Sequence, residues 1–528
     1  MKAKFLLAAL ACIGLISCES QDRVQTDEIL GSHNIMTYAD GTLAPWNSPD
    51  PSVAFDDMLE RLWSYWRQVP RGIDGTPVYM TQRLLNTAED GNRGIGGDQF
   101  AMLLASWNLW NRYSGDPEMV AQMRYIADMY LHFGLSPADC KWPGMPFTQN
   151  TNTRVPIYDG DYILGKGFIQ PDKCGSFGLE LLKLYPHIGR SPLADEYLVA
   201  AVRIANTLCE HYRDGDANNS PWPFKVNVFT GEVRTKVKLL CSDKEEPYDH
   251  PHYTSNYAPT LDLLDGLCKI GVGDTLLYRQ TFNKVLDWMK AYPLKNNKWG
   301  PFFEDISYWS DTQTNAVTFA QFIMDHPDLF DDWKSDVNSI FDWVYETLGN
   351  HDWEKYGVTV INEQTRFKYP GNSHTARQAC AELQYVHMSA DSTRYENAIR
   401  QLVWASYCVN DDGDNIYPGS GDWITDGYGD FVRHYLRAMG FCPELARSDE
   451  NHIIWADCPV FNIWYGSEYI VQYTVRGKGE EHIRMSAKPS EVKFLQDGAE
   501  GDWRWADMPQ GGGLLTVTHN GGGQIKII

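Results

Sequence analysis

The stretch 254–292, TSNYAPTLDLLDGLCKIGVGDTLLYRQTFNKVLDWMKAY, contains two helical patterns separated by a single short turn. Apolar residues recur every three or four positions in 254–270 and again in 274–292, which predicts two amphipathic helices. Gly271 and Gly273 lie between them, and Asp274 follows as a typical N-cap. Because a link this short makes the two helices antiparallel neighbours, the stretch predicts a helical hairpin.

The same pattern repeats along most of the chain. Short links join the second predicted helix to the third, the fourth to the fifth, and so on, while long loops precede the even-numbered helices. The sequence therefore predicts six hairpins whose long loops collect at one end. The twelve predicted helices span 54–69, 98–113, 117–133, 176–186, 192–213, 254–270, 274–292, 312–324, 331–348, 373–388, 393–409 and 427–439.

This organisation resembles the six-hairpin (α/α)6 toroid of carbohydrate-active enzymes, in which an inner ring of helices alternates with an outer ring. The resemblance covers residues 51–445 and implies a mainly α fold with its functional groups on the long loops. An open α-solenoid of the same hairpins is the alternative. The toroid is favoured because the hairpins share no repeat of fixed period and their loops differ in length.

The pattern changes near the C-terminus. From residue 453 onward, apolar and polar residues alternate in short runs, which predicts strands at 460–465, 469–475, 482–487, 492–495, 514–518 and 524–528. Residues 446–528 are therefore predicted to form a small antiparallel β module. The glycine-rich stretch 510–513 is interpreted as a hairpin turn, because neither a helix nor a Lys-Ser/Thr pair follows it.

The N-terminus has the features of an export signal. Lys2 and Lys4 precede an apolar run at 5–16 that is too short to span a bilayer, so residues 1–17 are predicted to be a signal peptide. Cys18 directly follows in a sequence that resembles the lipobox of bacterial lipoproteins, which implies lipidation of Cys18. Residues 18–50 are then expected to form a tether and an irregular lead-in. The predicted product is an exported lipoprotein, periplasmic or on the outer membrane and cell surface, whose only membrane contact is its lipid anchor.

Composition narrows the class of partner. A net charge of −23 disfavours nucleic acid, whereas 19 Trp and 29 Tyr, many of them near glycine and proline, suit the stacking of sugar rings. The eleven cysteines contain no CxxC pair, so no metal site and no cofactor is predicted. Two cysteine pairs are candidates for disulfides in an oxidising compartment, namely Cys140 with Cys174 and Cys442 with Cys458.

Candidate functional residues were sought where the long loops meet the even-numbered helices. The six loops carry carboxylates, basic groups and aromatic rings in close sequence proximity, as a sugar-binding site requires. Two ordinary interpretations compete, namely helix capping for Asp98 and Asp311 and a capping role for His374. The candidate substrate-binding residues are Lys166, Lys173, Trp222, Lys225, Asn256, Trp309, Glu363, Arg366, Asn372, Arg377, Trp423 and Tyr428.

The leading hypothesis is a glycoside hydrolase acting on oligosaccharides or polysaccharides, in which one carboxyl group protonates the leaving oxygen and another activates water. Its acid and base are expected among Asp98, Glu304, Asp305, Asp311, Glu363, Asp422 and Asp426. The basic residues of the loops make a uronate-containing substrate a further expectation.

Two alternatives stay open at the level of sequence. The first is a polysaccharide lyase acting by β-elimination, because the set Tyr253, Asn372, His374 and Arg377 resembles those of toroid-fold lyases. The second is a surface glycan-binding lipoprotein without catalysis, whose ligand would stack on Trp309 and Trp423.

Overall fold

The fold is taken from a computed structural model that describes residues 22–68, 99–148, 158–161, 164–188, 192–238, 245–303, 308–416, 427–466, 470–496 and 500–528. Twelve α-helices lie within these ranges, and a π-helical turn at 427–431 leads into the last of them. The helices are α1 (Pro51–Arg67), α2 (Gln99–Ser114), α3 (Glu118–Phe133), α4 (Pro171–Leu184), α5 (Pro192–Glu210), α6 (Ala258–Ile270), α7 (Thr275–Met289), α8 (Gln313–Asp325), α9 (Trp333–Leu348), α10 (Asn372–Ser389), α11 (Tyr395–Ser406) and α12 (Val432–Phe441).

The even-numbered helices form a closed inner ring. Each packs on the next, from α2 through α4, α6, α8 and α10 to α12, and α12 returns to pack on α2. Ser106 of α2 donates a hydrogen bond of 3.0 Å to the carbonyl of Gly429, just before α12. Helices α3, α5, α7, α9 and α11 each pack outside the inner helix that precedes them. The predicted (α/α)6 toroid is confirmed, and closure excludes the open solenoid.

Burial distinguishes the two rings. In the inner helix α10, every residue from Asn372 to Tyr385 is buried, polar side chains included. The outer helix α9 buries only five residues, Val337, Ile340, Phe341, Val344 and Leu348, which form one apolar stripe. Helix α10 thus contacts protein on all sides along this stretch, and its polar residues are enclosed within the ring.

The N-terminal segment differs from the expected irregular lead-in. Strands β1 (Val24–Leu30), β2 (His33–Thr37) and β3 (Leu43–Ala44) form an antiparallel sheet. Leu30, Ile35 and Leu43 are buried in the main core. The polar and turn residues of this segment obscured the alternation that places these three side chains against the ring. Cys18 lies outside the described residues, so its lipidation stays a prediction.

Short strands occur within the long loops. They pair with one another to form two-stranded sheets within these loops. These strands are β4 (Gly160–Asp161), β5 (Gly165–Lys166), β6 (Phe168–Ile169), β7 (Val226–Asn227), β8 (Lys236–Lys238), β9 (Glu245–Pro247), β10 (Gly349–Asn350) and β11 (Val360–Ile361).

The C-terminal module is a sandwich of two four-stranded antiparallel sheets around one apolar core. The sheet orders are β12-β15-β18-β17 and β13-β14-β19-β16. The β module is confirmed, but it contains two strands that the alternation pattern missed, His452–Ala456 and Gly501–Asp507. Its strands are β12 (His452–Ala456), β13 (Val460–Tyr465), β14 (Val471–Val475), β15 (Gly479–Met485), β16 (Val492–Phe494), β17 (Gly501–Asp507), β18 (Gly513–His519) and β19 (Gly523–Ile527).

The sandwich is fixed to the ring at the C-terminal end of α2. His452 stacks on Tyr113 with ring centroids 3.9 Å apart, and its Nδ1 bonds the Tyr113 carbonyl at 2.9 Å. The hydroxyl of Tyr465 donates to the carbonyl of Arg112 at 2.7 Å. Because an inner helix makes these contacts, the sandwich borders the space that the inner ring encloses.

Two further findings concern the chain as a whole. None of the helices in the described residues is long and apolar enough to cross a membrane. The four cysteines considered for disulfides, Cys140, Cys174, Cys442 and Cys458, are free thiols in the structure. The two suggested disulfides are therefore not formed.

Candidate functional site

The inner ring encloses a cavity of about 880 Å³. It extends from the N-terminal ends of the inner helices, at Asn256 and Thr314, to the sandwich at Trp455 and Arg476. Six Lys and Arg side chains line it against four Asp and Glu, an excess of positive charge in a chain whose net charge is −23. The charged residues are Arg112, Lys183, Lys269, Arg433, Arg437, Arg476, Glu180, Asp262, Asp325 and Asp457.

A buried network of charges joins three inner helices at their N-terminal ends. Arg377 of α10 donates to Gln313 Oε1 at 2.9 Å and to Thr314 Oγ1 at 2.7 Å, both on α8, and it also pairs with Asp430. Arg433 donates through Nε to the same Asp430 carboxylate at 3.0 Å. Burial alone would raise the pKa of Asp430, but the two guanidinium groups hold it well below its usual value. The carboxylate is thus a fixed negative charge between two arginines.

Two neutral histidines border this network. Burial, together with the nearby Arg377, lowers the pKa of His374 to about 3. His374 Nε2 is buried and has no hydrogen-bond partner among the described residues. Burial also lowers the pKa of His434 to about 3, although His434 Nε2 lies 3.1 Å from Asp430. Both imidazoles are therefore uncharged at neutral pH.

A second buried polar cluster lies at the N-terminal ends of α4 and α6. Asn256 donates to Asp172 Oδ2 at 3.0 Å, and Lys173 Nζ lies 3.7 Å from the same oxygen. Burial raises the pKa of Asp172, while Lys173 acts in the opposite direction. Both amide atoms of Gln170, which precedes α4, are buried without a partner among the described residues. Asp161 and Lys225 form an adjacent ion pair of 2.9 Å with both side chains almost fully buried.

Aromatic rings connect the two clusters. Lys173 lies over the face of Phe302, whose ring contacts Phe303 at a centroid distance of 5.2 Å. Phe303 in turn lies 5.9 Å from the ring of His374. Phe302, Asn256, Thr314 and Arg433 all line the cavity, so both clusters border one continuous space.

The Asp311 carboxylate bonds to its own loop and does not cap helix α8. Its Oδ1 accepts hydrogen bonds of 2.8 Å from the backbone nitrogens of Trp299 and Gly300, and its Oδ2 accepts one of 2.8 Å from Trp309 Nε1. Helix α8 begins beyond it, at Gln313, with no side-chain cap. The carboxylate is committed to holding its loop together, which favours a structural role over acid–base catalysis.

The hydroxyl of Tyr253 is also occupied by a hydrogen bond to the backbone. Its hydroxyl donates to the carbonyl of Lys298 at 2.7 Å, and the residue is 1% exposed. Burial, with a smaller effect of Asp311, raises its pKa above the ordinary tyrosine value. A phenol that holds its proton so firmly is a poor base, so the geometry does not favour the role predicted for Tyr253.

Among the remaining candidates, the structure separates buried loop contacts from exposed groups. Trp222 is buried and donates to the Leu208 carbonyl at 2.8 Å, so it belongs to the core and not to a sugar-binding face. Asn372 donates to Asn415 Oδ1 at 2.9 Å, and Glu363 accepts from Gln364 at 3.0 Å. The exposed candidates are Lys166, which pairs with Asp159 at 3.5 Å, and Arg366, which lies over the Tyr308 ring at 5.2 Å.

Several predicted residues lie outside the described part of the chain. The side chain of Tyr428 is also not described, although its backbone belongs to the π-helical turn before α12. Their roles therefore stay predictions. These residues are Asp98, Glu304, Asp305, Asp422, Trp423 and Asp426.

Sequence reasoning missed the centre of the network. Asp430, Arg433 and His434 follow the last long loop, and only their spacing hints that they share one helix face. The signal that would have found them is the spacing of three and four residues between Asp430, Arg433 and His434 at the start of an inner helix. They converge with Arg377 and Gln313 only because the ring closes.

No protein-family model matches the chain, and no curated protein matches it. Solved structures do. Cellobiose 2-epimerase from Bacillus thermoamylovorans aligns over 74% of this chain and 99% of its own, with 11% identity and a TM-score of 0.55. D-mannose isomerase aligns over 76% of this chain and 99% of its own, with 10% identity and a TM-score of 0.52. At these identities the likeness shows a common fold.

Proposed function

We propose that this protein is an enzyme that processes acidic carbohydrate chains. The reaction takes place at the N-terminal ends of the inner helices, where a neutral histidine transfers the proton. The observation that carries the proposal is the buried network itself. His374 has an unpartnered Nε2 beside Arg377, and Arg433 of the same network lines the cavity. A neutral base next to a cationic group is the arrangement that abstraction of a proton from carbon beside a carboxylate requires.

Charge and fold both support sugar acids as the substrate class. The cavity has an excess of basic side chains, which attracts carboxylate-bearing ligands in spite of the acidic surface. Cellobiose 2-epimerase and D-mannose isomerase have a similar fold, and their names refer to sugars. A carbohydrate is therefore the ligand class proposed for this cavity.

The proposed reaction is β-elimination from a uronate. Arg433 neutralises the uronate carboxylate, and His374 Nε2 removes the proton from the adjacent carbon. The electron pair moves to form the carbon–carbon double bond as the glycosidic bond breaks, and the proton held by His374 passes to the departing oxygen. Arg377 acts through others, because its donors hold Gln313, Thr314 and Asp430 in place.

Hydrolysis is the second candidate, and Asp172 is the observation that favours it. This buried carboxyl has a raised pKa and is held by Asn256, which lines the same cavity. Such a group is suited to protonate a glycosidic oxygen. The predicted carboxylate partners on the loops at 304–305 and 422–426 lie outside the described residues.

One assay separates the two reactions. The protein is incubated with uronate-containing and neutral glycans while ultraviolet absorbance of an unsaturated product and release of reducing ends are both followed. We expect absorbance with a uronate glycan, and a loss of at least about 100-fold in His374→Gln, which is the scale of a missing general base. His351→Gln is the control, because His351 is exposed and pairs with Glu354 at 2.7 Å.

The possible outcomes are distinct. Reducing ends without unsaturated product, abolished by Asp172→Asn and not by His374→Gln, would replace elimination with hydrolysis. Retention of glycans with no turnover on any member of the panel would contradict an enzymatic role and favour a binding lipoprotein.

A further inference from the structure

Three side chains from separate parts of the sandwich lie close together beside the central cavity. Cys458 lies in the turn between β12 and β13, Glu481 on β15, and His519 at the end of β18. Cys458 Sγ lies 3.2 Å from Glu481 Oε1 and 3.8 Å from His519 Nε2, and the imidazole nitrogen lies 2.9 Å from the same carboxylate oxygen. Three ligands at about 2.0–2.3 Å from one zinc ion have separations of this size.

Further hydrogen bonds orient a Glu481 oxygen and a His519 nitrogen toward the Cys458 sulfur. His519 Nδ1 lies 2.8 Å from the Gly521 carbonyl, which occupies this nitrogen as a donor and leaves Nε2 facing the cluster. Tyr473 donates to Glu481 Oε2 at 3.1 Å, which leaves Oε1 facing the cluster. Metal-binding histidines and carboxylates characteristically have such supporting bonds.

The turn that holds Cys458 depends on a glycine. A Cβ at Gly479 would lie 2.6 Å from Cys458 Sγ and 2.8 Å from Asp457 Oδ1. The absence of a side chain at 479 therefore lets the thiol approach Glu481. Cys458 also lines the central cavity, which provides an entry path and water for an open coordination position.

We propose that Cys458, Glu481 and His519 bind one divalent transition-metal ion, with zinc as the best match to one sulfur, one oxygen and one nitrogen ligand. The ordinary alternative is a buried ion pair between Glu481 and a doubly protonated His519, with Cys458 as a neighbour. Metal binding replaces the proton on His519 Nε2 and the proton of the Cys458 thiol, so about two protons leave as the ion enters. The ion would join the turn before β13 to the sheet of β15 and β18.

The test uses the whole purified protein after removal of metals with a chelator, titrated with cobalt(II). We expect a thiolate-to-cobalt charge-transfer band that saturates at one ion per chain, release of protons, and displacement of the band by zinc. Wild-type protein alone decides the first point, so a variant that fails to fold does not obscure the result. No charge-transfer band and no retained zinc would overturn the proposal.

Variants then assign the ligands. Cys458→Ser should remove the band, and His519→Gln should weaken binding at least 10-fold. Cys268→Ser and His482→Gln are matched controls, since Cys268 lies on α6 and His482 pairs with Glu480 at 3.0 Å. A band that survives Cys458→Ser but disappears in Cys268→Ser would overturn the assignment.

Discussion

Asp430 shows how a single residue organises the site. Its carboxylate contacts Arg377, Arg433 and His434, which come from two inner helices. Removing a charged partner from such a buried group is costly, because the remaining charges lose their compensation. The residue therefore sets the position of Arg433 at the cavity, whereas burial, against the effect of Asp430, keeps the adjacent imidazole neutral.

The histidines make stability depend on pH in a defined direction. An unfolded imidazole has a pKa of about 6.5, whereas that of folded His374 is lowered to about 3 by burial and Arg377. Protonation therefore favours the unfolded chain, so stability present above about pH 6.5 is lost as the pH falls toward 3, by at most about 1.4 kcal/mol per pH unit for this group.

Denaturant unfolding across this range measures the effect. His374→Gln should flatten the dependence of unfolding free energy on pH between about 6.5 and 4, and His351→Gln should leave it unchanged. Identical slopes for wild type and His374→Gln would show that this imidazole is not neutral in the folded protein.

At the scale of single residues, the sequence predicted the helical position of two residues of the candidate site. The spacing of His374 and Arg377 correctly placed both in the first turns of an inner helix. The hydrogen bonds of Asp311 and Tyr253 to backbone atoms of distant residues, such as Trp299 and Lys298, could not be predicted, because such bonds have no signature in the sequence. Cys458, Glu481 and His519 were also missed, because contacts between residues far apart in the sequence have no sequence signature. Cys458 and His519 are 61 residues apart.

At the scale of elements, close packing of inner helices fixes the geometry of the site. Helices α4 and α6 approach each other where Gly175 faces Thr260, and a Cβ at Gly175 would lie 1.9 Å from Thr260 Oγ1. The twelve helices were predictable because their apolar periodicity is local. The starts of α4 and α6 were not, because Pro171 and Pro259 in their first turns do not disclose how far the preceding loop extends.

The glycine contact gives a quantitative prediction. Gly175→Ala should destabilise the protein by about 1–3 kcal/mol through overpacking, measured by denaturant unfolding. Gly266→Ala in α6 is the control, because its Cβ would meet only the flexible end of Leu182 and it gains helix propensity. Equal effects of the two substitutions would show that the α4–α6 contact is not tight.

At the scale of the whole molecule, closure of the ring creates the candidate site. It brings residues from α4, α6, α8, α10 and α12 to one end of an enclosed space, which no single hairpin could do. The six-hairpin plan was predictable from loop lengths. The sandwich against α2 and the sheet at 24–44 were not, since each depends on contacts with the completed ring.

The most direct test of this account is a crystal structure of His374→Gln with a bound uronate oligosaccharide. The sugar should lie inside the ring at the N-terminal ends of the inner helices, with its carboxylate within hydrogen-bond distance of Arg433. A sugar bound on the outer surface of the ring or on the sandwich, with no contact to Arg433, would contradict it.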